Sequence, residues 1–245
     1  MSIKVISQST KEREQETRDT VTEDLTIDDK VFKEIFKNLY RHNEFITDKS
    51  GSKTLEIIGD SYYADEDVIF GTLNTDYANR ELEWYLSESL NVSDIPGGAP
   101  TIWKQVSSKD GFINSNYGWC IFSSDNNYQY QNVLSELKRH KDSRRALMIY
   151  TRPEMWRDYN KDGMSDFMCT STVHVLIRND TLIYIVNQRS CDAVYGYKND
   201  MFWHRFVYNK LFDDLSKYYH LQKSPIIHQV GSLHVYERHF KFLED

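Results

Sequence analysis

The sequence predicts an α+β fold in which helices and paired strands are mixed along the chain. Some segments repeat apolar residues with helical spacing and others alternate apolar with polar residues, but the two patterns do not follow each other regularly. No long linker divides the 245 residues. We therefore expect a charged, flexible arm over residues 1–28 and a single domain over residues 29–245.

The first half of this domain is predicted to contain three helices and a strand. A helix begins at Asp29, where apolar residues at positions 32, 35, 36 and 39 fall on one face. A strand follows over Thr54–Tyr63, after a loop of small residues at positions 48–53. Apolar spacing then predicts a helix over Thr75–Leu90 and another over Asn126–His140.

The second half is predicted to contain a hairpin, two further strands and a long helix. Ser171–Arg178 pairs with Thr181–Ser190 through Asn179 and Asp180, residues that tolerate the backbone of a tight turn. The remaining elements are a strand over Leu147–Tyr150, a helix from about Asp200 to Tyr219, and a strand from Ile226 to Tyr236.

Composition excludes several classes of protein. Because 40% of the residues are hydrophobic, the chain can build a core, and global disorder is excluded. A net charge of −7 has the wrong sign for a protein that neutralises a phosphate backbone. Three cysteines make no disulfide framework, and the apolar runs are too short to span a bilayer. We expect a cytoplasmic protein that binds neither membranes nor nucleic acids.

The predicted hairpin brings a cysteine close to an arginine. A turn at Asn179 and Asp180 places Cys169 opposite Ser190 and beside Arg189, and a register error of one or two residues leaves them neighbours. A guanidinium favours the thiolate, which is the nucleophilic form of cysteine. For a cysteine taken alone, a buried and inert thiol is the commoner alternative.

Two other charged groups are candidates for chemistry. Glu81 lies among apolar residues of its helix, so desolvation would raise its pKa and suit it to proton transfer; the alternative is a solvated carboxylate. Arg144 and Arg145 follow Ser143 in a basic turn that would suit a phosphate, whereas most such turns are solvated surface.

His234 and Tyr236 alternate on the last predicted strand, so their side chains leave the same face. They could hydrogen-bond a sugar, although a satisfied core pair is the commoner arrangement. No pair of Cys or His residues has the spacing of a zinc site, and no glycine motif for nucleoside triphosphates or dinucleotides is present. No metal is expected.

Together, these pieces resemble the thymidylate synthase superfamily over about residues 30–240. Cys169 precedes Gln188 by nineteen residues, as the family's nucleophile precedes its Gln-Arg-Ser-x-Asp signature. The segments that carry the resemblance are Arg80–Leu86, Thr101–Trp103, Asn116–Gly118, Ser143–Arg145, Cys169, Gln188–Asp192, Gly196 and His234–Tyr236. The resemblance implies a mixed β-sheet flanked by helices and a two-fold homodimer.

The resemblance also implies roles for these residues. Cys169 would attack carbon 6 of a pyrimidine nucleotide, while Glu81 would organise water and protons with Tyr117 nearby. The nucleotide's 5′-phosphate would be held by Lys49, Arg189, Ser190, and Arg144 and Arg145 of the partner subunit. The sugar would be bound by His234 and Tyr236. The co-substrate, 5,10-methylenetetrahydrofolate, would be contacted by Asp192, Trp103 and Gly196.

One departure from the family pattern concerns the base. Asp200 stands twelve residues after Gln188, where the synthase has an Asn that reads uracil. An ionised carboxylate only accepts hydrogen bonds, so it suits the exocyclic amino group of cytosine and opposes the carbonyl of uracil. Asp200 therefore indicates dCMP as the substrate. A one-residue slip would put Asn199 in this position and restore dUMP.

Further departures concern the reaction. Val106 replaces a tryptophan of the synthase, which could admit water to the exocyclic methylene intermediate in place of a folate hydride. Thr170 follows the nucleophile where the synthase has His, and Tyr197–Asn199 replaces Leu-Pro-Phe. Together with the sequence of residues 159–169, these differences make the chain resemble viral deoxycytidylate hydroxymethylases. The sequence also ends at Asp245, without the segment that closes over the folate in other members.

The resemblance therefore implies conversion of dCMP, 5,10-methylenetetrahydrofolate and water to 5-hydroxymethyl-dCMP and tetrahydrofolate, for modified viral DNA. It implies a bacteriophage protein acting in the host cytoplasm. Alternatives within the family are a dUMP hydroxymethylase or a thymidylate synthase-type methylase. An idle homologue that senses nucleotides or binds RNA is a different class, which the intact Cys169, Glu81 and Arg189 disfavour.

Overall fold

A computed structural model of the chain describes residues 29–47 and 51–244. The expected arm at residues 1–28 and the expected phosphate ligand Lys49 lie outside the described residues. Within the described ranges, no helix is both long and apolar enough to cross a bilayer.

The helices lie mainly on one side of a sheet. Their bounds are α1 Asp29–Arg41, α2 Thr75–Leu86, α3 Thr101–Val106, α4 Tyr117–Phe122, α5 Gln129–Arg139, α6 Met155–Asp158 and α7 Gly196–Ser216. Short 3-10 turns cover Val92–Asp94, Ser124–Asn126, Lys161–Gly163 and Glu237–Phe242. The strands are β1 Ile46–Thr47, β2 Lys53–Tyr63, β3 Leu147–Ile149, β4 Thr170–Arg178, β5 Thr181–Gln188, β6 Cys191–Asp192, β7 Gln222–Lys223 and β8 Ile227–Tyr236.

These strands form one mixed sheet, in the order β1-β2-β8-β5-β4-β3, with β6 paired to β8 and β7 to β5. β8 runs antiparallel to β2 but parallel to β5, because the chain crosses over through α7 between β5 and β8. The predicted α+β class and mixed sheet are confirmed. The parallel pairing places the C-terminal ends of β5, β6 and β8 at the same end of the sheet, next to the beginning of α7.

The core lies between the helices and one face of the sheet. Val173, Val175 and Ile177 alternate along β4 and are buried, as are Tyr184 of β5 and Trp203 of α7. Full burial of such a side chain stabilises the fold by roughly 1.5–3 kcal/mol. The alternation therefore determines which sheet face the helices cover.

The opposite sheet face carries apolar residues that no helix of residues 29–47 and 51–244 covers. Leu147 and Ile149 of β3 are 40% and 50% exposed. Strand register puts Leu147 in one row with His174, Ile185 and Ile227. Residues in register on neighbouring strands point to the same face, so this row forms a continuous surface.

The predicted hairpin is confirmed, with Arg178 paired to Thr181 across the turn, where Asn179 and Asp180 adopt φ of 48° and 60°. Near its open end, however, the register shifts between Thr170 and Thr172. The bulge adds a residue to β4, so the pairing predicted by counting outward from the turn is wrong beyond this point.

Several predicted helix ends were wrong, for local backbone reasons. The helix predicted to Leu90 ends at Leu86, because Glu88 takes a left-handed backbone with φ of 59°. The helix predicted from Asn126 begins at Gln129, after two residues with positive φ. Other ends differ by a few residues: the strand predicted to Tyr150 ends at Ile149, and the helix predicted to Tyr219 ends at Ser216.

The long helix begins one turn earlier than predicted, at Gly196 instead of Asp200. Its first turn contains Tyr197 and Lys198, and both are buried although the charged lysine interrupts the hydrophobic pattern. Their polar ends donate to backbone carbonyl groups, Tyr197 Oη to Glu66 at 2.9 Å and Lys198 Nζ to Thr72 at 2.9 Å. These bonds allow polar side chains to occupy a buried helical turn.

Candidate active site

Cys169 lies immediately before β4, at the open end of the hairpin. The bulge pairs Thr170 with Gln188, and the Arg189 amide donates to the Cys169 carbonyl at 3.0 Å. Cys169 is therefore not directly opposite Ser190, as the turn-centred register predicted, but the predicted proximity to Arg189 is correct. Ser190 is only partly buried, beside these residues.

Backbone carbonyl groups fix the guanidinium of Arg189 in this corner. Its Nε donates to the Met168 carbonyl at 2.9 Å and its Nη2 to the Phe167 carbonyl at 2.6 Å. The guanidinium lowers the pKa of Cys169, but burial is the largest influence and, with the Asp200 charge, raises that pKa to about 12. The predicted influence of the arginine, which favours the thiolate, is confirmed in direction, but burial outweighs it in the protein alone and the net pKa is raised.

Asp200 lies in the second turn of α7 and faces the end of β5. Its Oδ2 accepts a hydrogen bond from Gln188 Nε2 at 2.7 Å. Burial raises the pKa of Asp200 to about 7, the Glu81 charge adds to the rise, and the bonds from Gln188 and Tyr117 oppose it. The sequence predicts an ionised carboxylate here, whereas a pKa of about 7 leaves both protonation states populated at neutral pH.

Glu81 is buried on α2, as its apolar helical neighbours predicted. Its Oε1 accepts from Trp103 Nε1 at 2.8 Å and from the Tyr77 hydroxyl. Burial raises the pKa of Glu81, while these two hydrogen bonds partly offset the rise. The predicted desolvation of Glu81 is confirmed.

Tyr117 stands at the beginning of α4, where its position depends on its neighbours. Its ring stacks on Tyr85 with centroids 5.3 Å apart. The Asn116 side chain caps the helix by accepting from the Trp119 amide at 2.7 Å. A Cβ at Gly118 would lie 1.8 Å from the Tyr85 carbonyl oxygen, so only glycine allows this approach.

His234 and Tyr236 leave the same face of β8, as predicted, with ring centroids 4.8 Å apart. Asp192 of β6 is in register with His234 and lies 3.6 Å from the Arg238 guanidinium. Its Oδ1 accepts from the Val194 amide at 2.8 Å, which holds the bend before α7. Gly196 opens that helix; a Cβ there would lie 3.4 Å from the Asp192 Cβ.

The structure brings most of the predicted site residues into one cluster at this end of the sheet. The Asp200 charge influences the pKa values of Cys169 and Tyr117, and the Glu81 charge influences that of Asp200. Such mutual influence requires proximity. In the described ranges, no group of three or more His, Cys, Asp and Glu side chains is arranged to hold a metal ion.

Arg144 and Arg145 lie apart from this cluster, on an exposed turn before β3. The Arg144 carbonyl contacts His174 Nε2 at 3.1 Å, and Arg145 pairs with Glu136 at 3.3 Å. The turn borders an open depression of about 350 Å³ on the surface. Within one described chain, these arginines therefore lie outside the cluster around Cys169.

Sequence reasoning missed two contributors to the site. Tyr77 precedes Glu81 by one helical turn, a spacing that predicts contact and could have identified it. His228 contacts Gln188 Oε1 at 2.8 Å, and its strand lies next to β5 although 40 residues separate the two. No local pattern indicates that contact, because it depends on how the sheet is ordered.

Comparison with known proteins agrees with this geometry. The model of the thymidylate synthase family matches residues 30–245. The chain belongs to the thymidylate synthase family. Two solved family structures are similar in fold: thermostable thymidylate synthase A from Bacillus subtilis (TM-score 0.65, 23% identity, covering 88% of this chain and 82% of that one) and the synthase of T4 phage (TM-score 0.65, 20% identity, 86% and 77%).

Similarity to curated family members is uneven. The chain is 55% identical over 207 residues to the deoxycytidylate 5-hydroxymethyltransferase of Enterobacteria phage T4, covering 83% of this chain and 84% of the relative. The phage T6 protein of the same description is 55% identical over 209 residues, with the same coverage. The thymidylate synthase of Buchnera aphidicola subsp. Acyrthosiphon pisum (strain APS) is 26% identical over 222 residues, covering 86% and 81%.

Proposed function

We propose that the protein is a deoxycytidylate 5-hydroxymethyltransferase, which converts dCMP, 5,10-methylenetetrahydrofolate and water to 5-hydroxymethyl-dCMP and tetrahydrofolate. The observation that carries the proposal is the Asp200 carboxyl, with its pKa raised to about 7, close to the Cys169 thiol. The 55% identity to phage enzymes of that description supports it. A role in making modified viral DNA is part of the same proposal.

Asp200 suits cytosine because of the hydrogen bonds that the base presents. Cytosine offers an acceptor at N3 and a donor at its 4-amino group, whereas uracil offers the reverse order. A protonated carboxyl donates with one oxygen and accepts with the other, so it can pair with both positions of cytosine. The ionised form still accepts from the amino group. A pKa of about 7 keeps the protonated form available at neutral pH.

In the proposed reaction, Cys169 Sγ bonds to carbon 6 and the displaced electron pair makes carbon 5 nucleophilic. Carbon 5 bonds to the methylene carbon of the folate, loses its proton, and tetrahydrofolate departs to leave an exocyclic methylene. Water adds to that methylene as the bond to Cys169 breaks. Arg189, bound to the carbonyls before Cys169, favours the thiolate that starts and ends this sequence.

Glu81 is proposed to organise the protons and water, with Tyr117 nearby. Its hydrogen bonds to Trp103 and Tyr77 hold the carboxyl group in place, and burial raises its pKa, which favours the protonated form that proton transfer needs. Val106 lies on the same short helix as Trp103, and we propose that its side chain, smaller than the tryptophan expected from the family, leaves space beside the bound base. That space is proposed to admit the water that replaces hydride transfer.

The remaining site residues are assigned to the two substrates. The folate is proposed to contact Asp192, Trp103 and Gly196. The sugar is proposed to bind His234 and Tyr236, whose adjacent rings present two polar groups on one face. The phosphate is proposed to bind Arg189, Ser190 and Lys49, together with Arg144 and Arg145 of the partner subunit.

The protein is proposed to act as a homodimer, and two features of the described chain support this. The uncovered sheet face bears an apolar row that includes the exposed Leu147 and Ile149, which a second copy would bury. Arg144 and Arg145 lie at the start of β3, next to that face and outside their own chain's cluster. A two-fold interface on this face would carry each pair of arginines toward the partner's site.

The deciding experiment supplies the protein with 5,10-methylenetetrahydrofolate and either dCMP or dUMP. The mass of the nucleotide product is measured by mass spectrometry, and the formation of dihydrofolate is followed in the same reaction. We expect a hydroxymethyl group on dCMP and no dihydrofolate. A methyl group with dihydrofolate would identify a synthase-type methylase, and a hydroxymethyl group on dUMP would overturn the assignment of Asp200 to cytosine.

A further inference from the structure

A chain of buried hydrogen bonds runs behind Asp200. The Tyr62 hydroxyl lies 2.7 Å from His228 Nδ1, and His228 Nε2 lies 2.8 Å from Gln188 Oε1. Gln188 Nε2 then donates to Asp200 Oδ2 at 2.7 Å. Tyr62, His228 and Gln188 are each at most 3% exposed. These hydrogen bonds thus connect three neighbouring strands with the beginning of α7, and they are shielded from water.

Strand register explains why these residues meet. Tyr62 of β2 is directly opposite His228 of β8, and His228 is in register with Val186 of β5, two residues before Gln188. Residues two apart on a strand point to the same face, so all three side chains turn toward the helices. The sheet holds their spacing fixed, independently of any bound substrate.

Only one assignment of donors and acceptors along these hydrogen bonds lets Asp200 Oδ2 accept from Gln188. Burial lowers the pKa of His228 to about 3, so its ring is neutral and carries one N–H group. The carbonyl oxygen of Gln188 only accepts, which places that hydrogen on Nε2 of His228. Nδ1 then accepts from the Tyr62 hydroxyl, and the amide nitrogen of Gln188 faces Asp200.

The opposite tautomer would reverse the whole chain. With its hydrogen on Nδ1, His228 would accept at Nε2, and the Gln188 amide would have to rotate by half a turn. Its carbonyl oxygen would then oppose Asp200 Oδ2. Thr170, the other partner of Gln188 Nε2 at 3.1 Å, does not decide between the two orientations, because a hydroxyl group both donates and accepts.

We propose, on the basis of the function proposed above, that His228 is a positioning residue for base selection. By donating to Gln188 Oε1, it fixes the amide so that Asp200 Oδ2 is held as an acceptor. A proton on Asp200 then resides on the other oxygen, and the carboxyl has a fixed order of donor and acceptor. Because cytosine and uracil present opposite orders, a fixed carboxyl matches one of them and opposes the other.

The test compares His228→Phe, which removes the donor, with His228→Gln, whose amide nitrogen takes approximately the place of Nε2. The readout is the ratio of kcat/KM for dCMP to that for dUMP, supported by the Kd of each nucleotide. We expect His228→Phe to lower the ratio about tenfold or more, as for loss of a buried hydrogen bond, and His228→Gln to restore most of it. Tyr62→Phe should act in the same direction, more weakly.

The matched control is Tyr208→Phe, which removes buried hydrogen bonds to the Leu182 and Ser224 carbonyls, each at 2.8 Å. This variant should lose stability and leave the base ratio unchanged. An unchanged ratio in His228→Phe, or an equal fall in Tyr208→Phe, would reduce His228 to a structural residue. A fall in His228→Gln as large as in His228→Phe would also overturn the proposal.

A second measurement requires no variant at all. Nitrogen-15 NMR of the histidine rings at pH 7 should show His228 neutral, with its hydrogen on Nε2; a hydrogen on Nδ1 would overturn the proposal. The two proposals also fail separately. If the unaltered protein modifies neither nucleotide, the proposed function fails, whereas normal dCMP hydroxymethylation with an unaltered ratio in His228→Phe refutes only the role of His228.

Discussion

Replacing Asp200 with Asn should stabilise the protein at alkaline pH. Burial raises the pKa of Asp200 from its ordinary 3.8 to about 7, so the folded state holds a proton that the unfolded state releases. The wild-type free energy of unfolding therefore decreases as the pH rises from about 4 to 7, by about 1.4 kcal/mol for each pH unit. The accumulated cost is about 4 kcal/mol at pH 8 and about 2 kcal/mol at pH 5.

An asparagine at position 200 avoids this cost and keeps the local contacts. Its carbonyl oxygen can still accept from Gln188, which donates to Asp200 at 2.7 Å. Urea unfolding of both proteins is followed by tryptophan fluorescence at one fixed protein concentration. The free energy of unfolding of Asp200→Asn should exceed that of the wild type by about 4 kcal/mol at pH 8 and by about half of that at pH 5.

Asp214→Asn is a control of opposite sign. The hydrogen bond from Lys217 lowers the pKa of Asp214 to about 2, so its ionised form contributes stability above pH 4 that is lost as the pH falls through 2. This variant should therefore be less stable than wild type at pH 5 and at pH 8. A gain for Asp200→Asn that is the same at both pH values, or a loss at pH 8, would refute the assignment of a buried acid at position 200.

Three further outcomes are expected. Cys169→Ser should abolish turnover but still bind dCMP in calorimetry, because the serine hydroxyl is too weak a nucleophile; near-normal turnover would exclude a covalent route. Mixing Cys169→Ser subunits with Arg144→Ala subunits, each inactive alone, should recover about a quarter of wild-type activity, because half of the randomly formed dimers would contain one complete site. No recovery after verified subunit exchange would place Arg144 in its own chain's site. Gly118→Ala should lower the free energy of unfolding by about 3 kcal/mol or more, since its Cβ would meet the Tyr85 carbonyl at 1.8 Å; a change below 1 kcal/mol in urea unfolding would contradict the close approach.

The sequence predicted the long elements better than it predicted their ends, and it did not predict the short helices α3, α4 and α6. Hydrophobic period decides whether a segment is a helix or a strand, and this was sufficient for the hairpin around Asn179 and Asp180. Ends depend on single backbone conformations, such as the positive φ at Glu88, and on buried polar groups that find partners, such as Lys198. A pattern of polar and apolar residues contains neither kind of information.

For the candidate site, the predicted hairpin and helix indicated Cys169 and Glu81, and the resemblance to the family indicated Asp200. The raised pKa of Glu81 was predicted as well, whereas the raised pKa values of Cys169 and Asp200 were not. The arginine beside Cys169 suggested a lowered pKa, whereas burial raises it to about 12. Burial of Asp200 likewise changes a carboxylate taken as ionised into a group that titrates near pH 7. Desolvation depends on everything that surrounds a group. The apolar helical neighbours of Glu81 indicated its burial, whereas the burial of Cys169 and Asp200 follows only from the packing.

The sequence by itself determined the fold class, the family and the chemical groups available for catalysis, because these are encoded in periodicity and in short motifs. Only the tertiary structure decided how strands far apart in the chain lie side by side. That order places His228 of β8 next to Gln188 of β5, and so connects Tyr62 to Asp200. Contacts of this kind arise from the packing of the whole sheet, since burying its apolar face fixes which strands become neighbours.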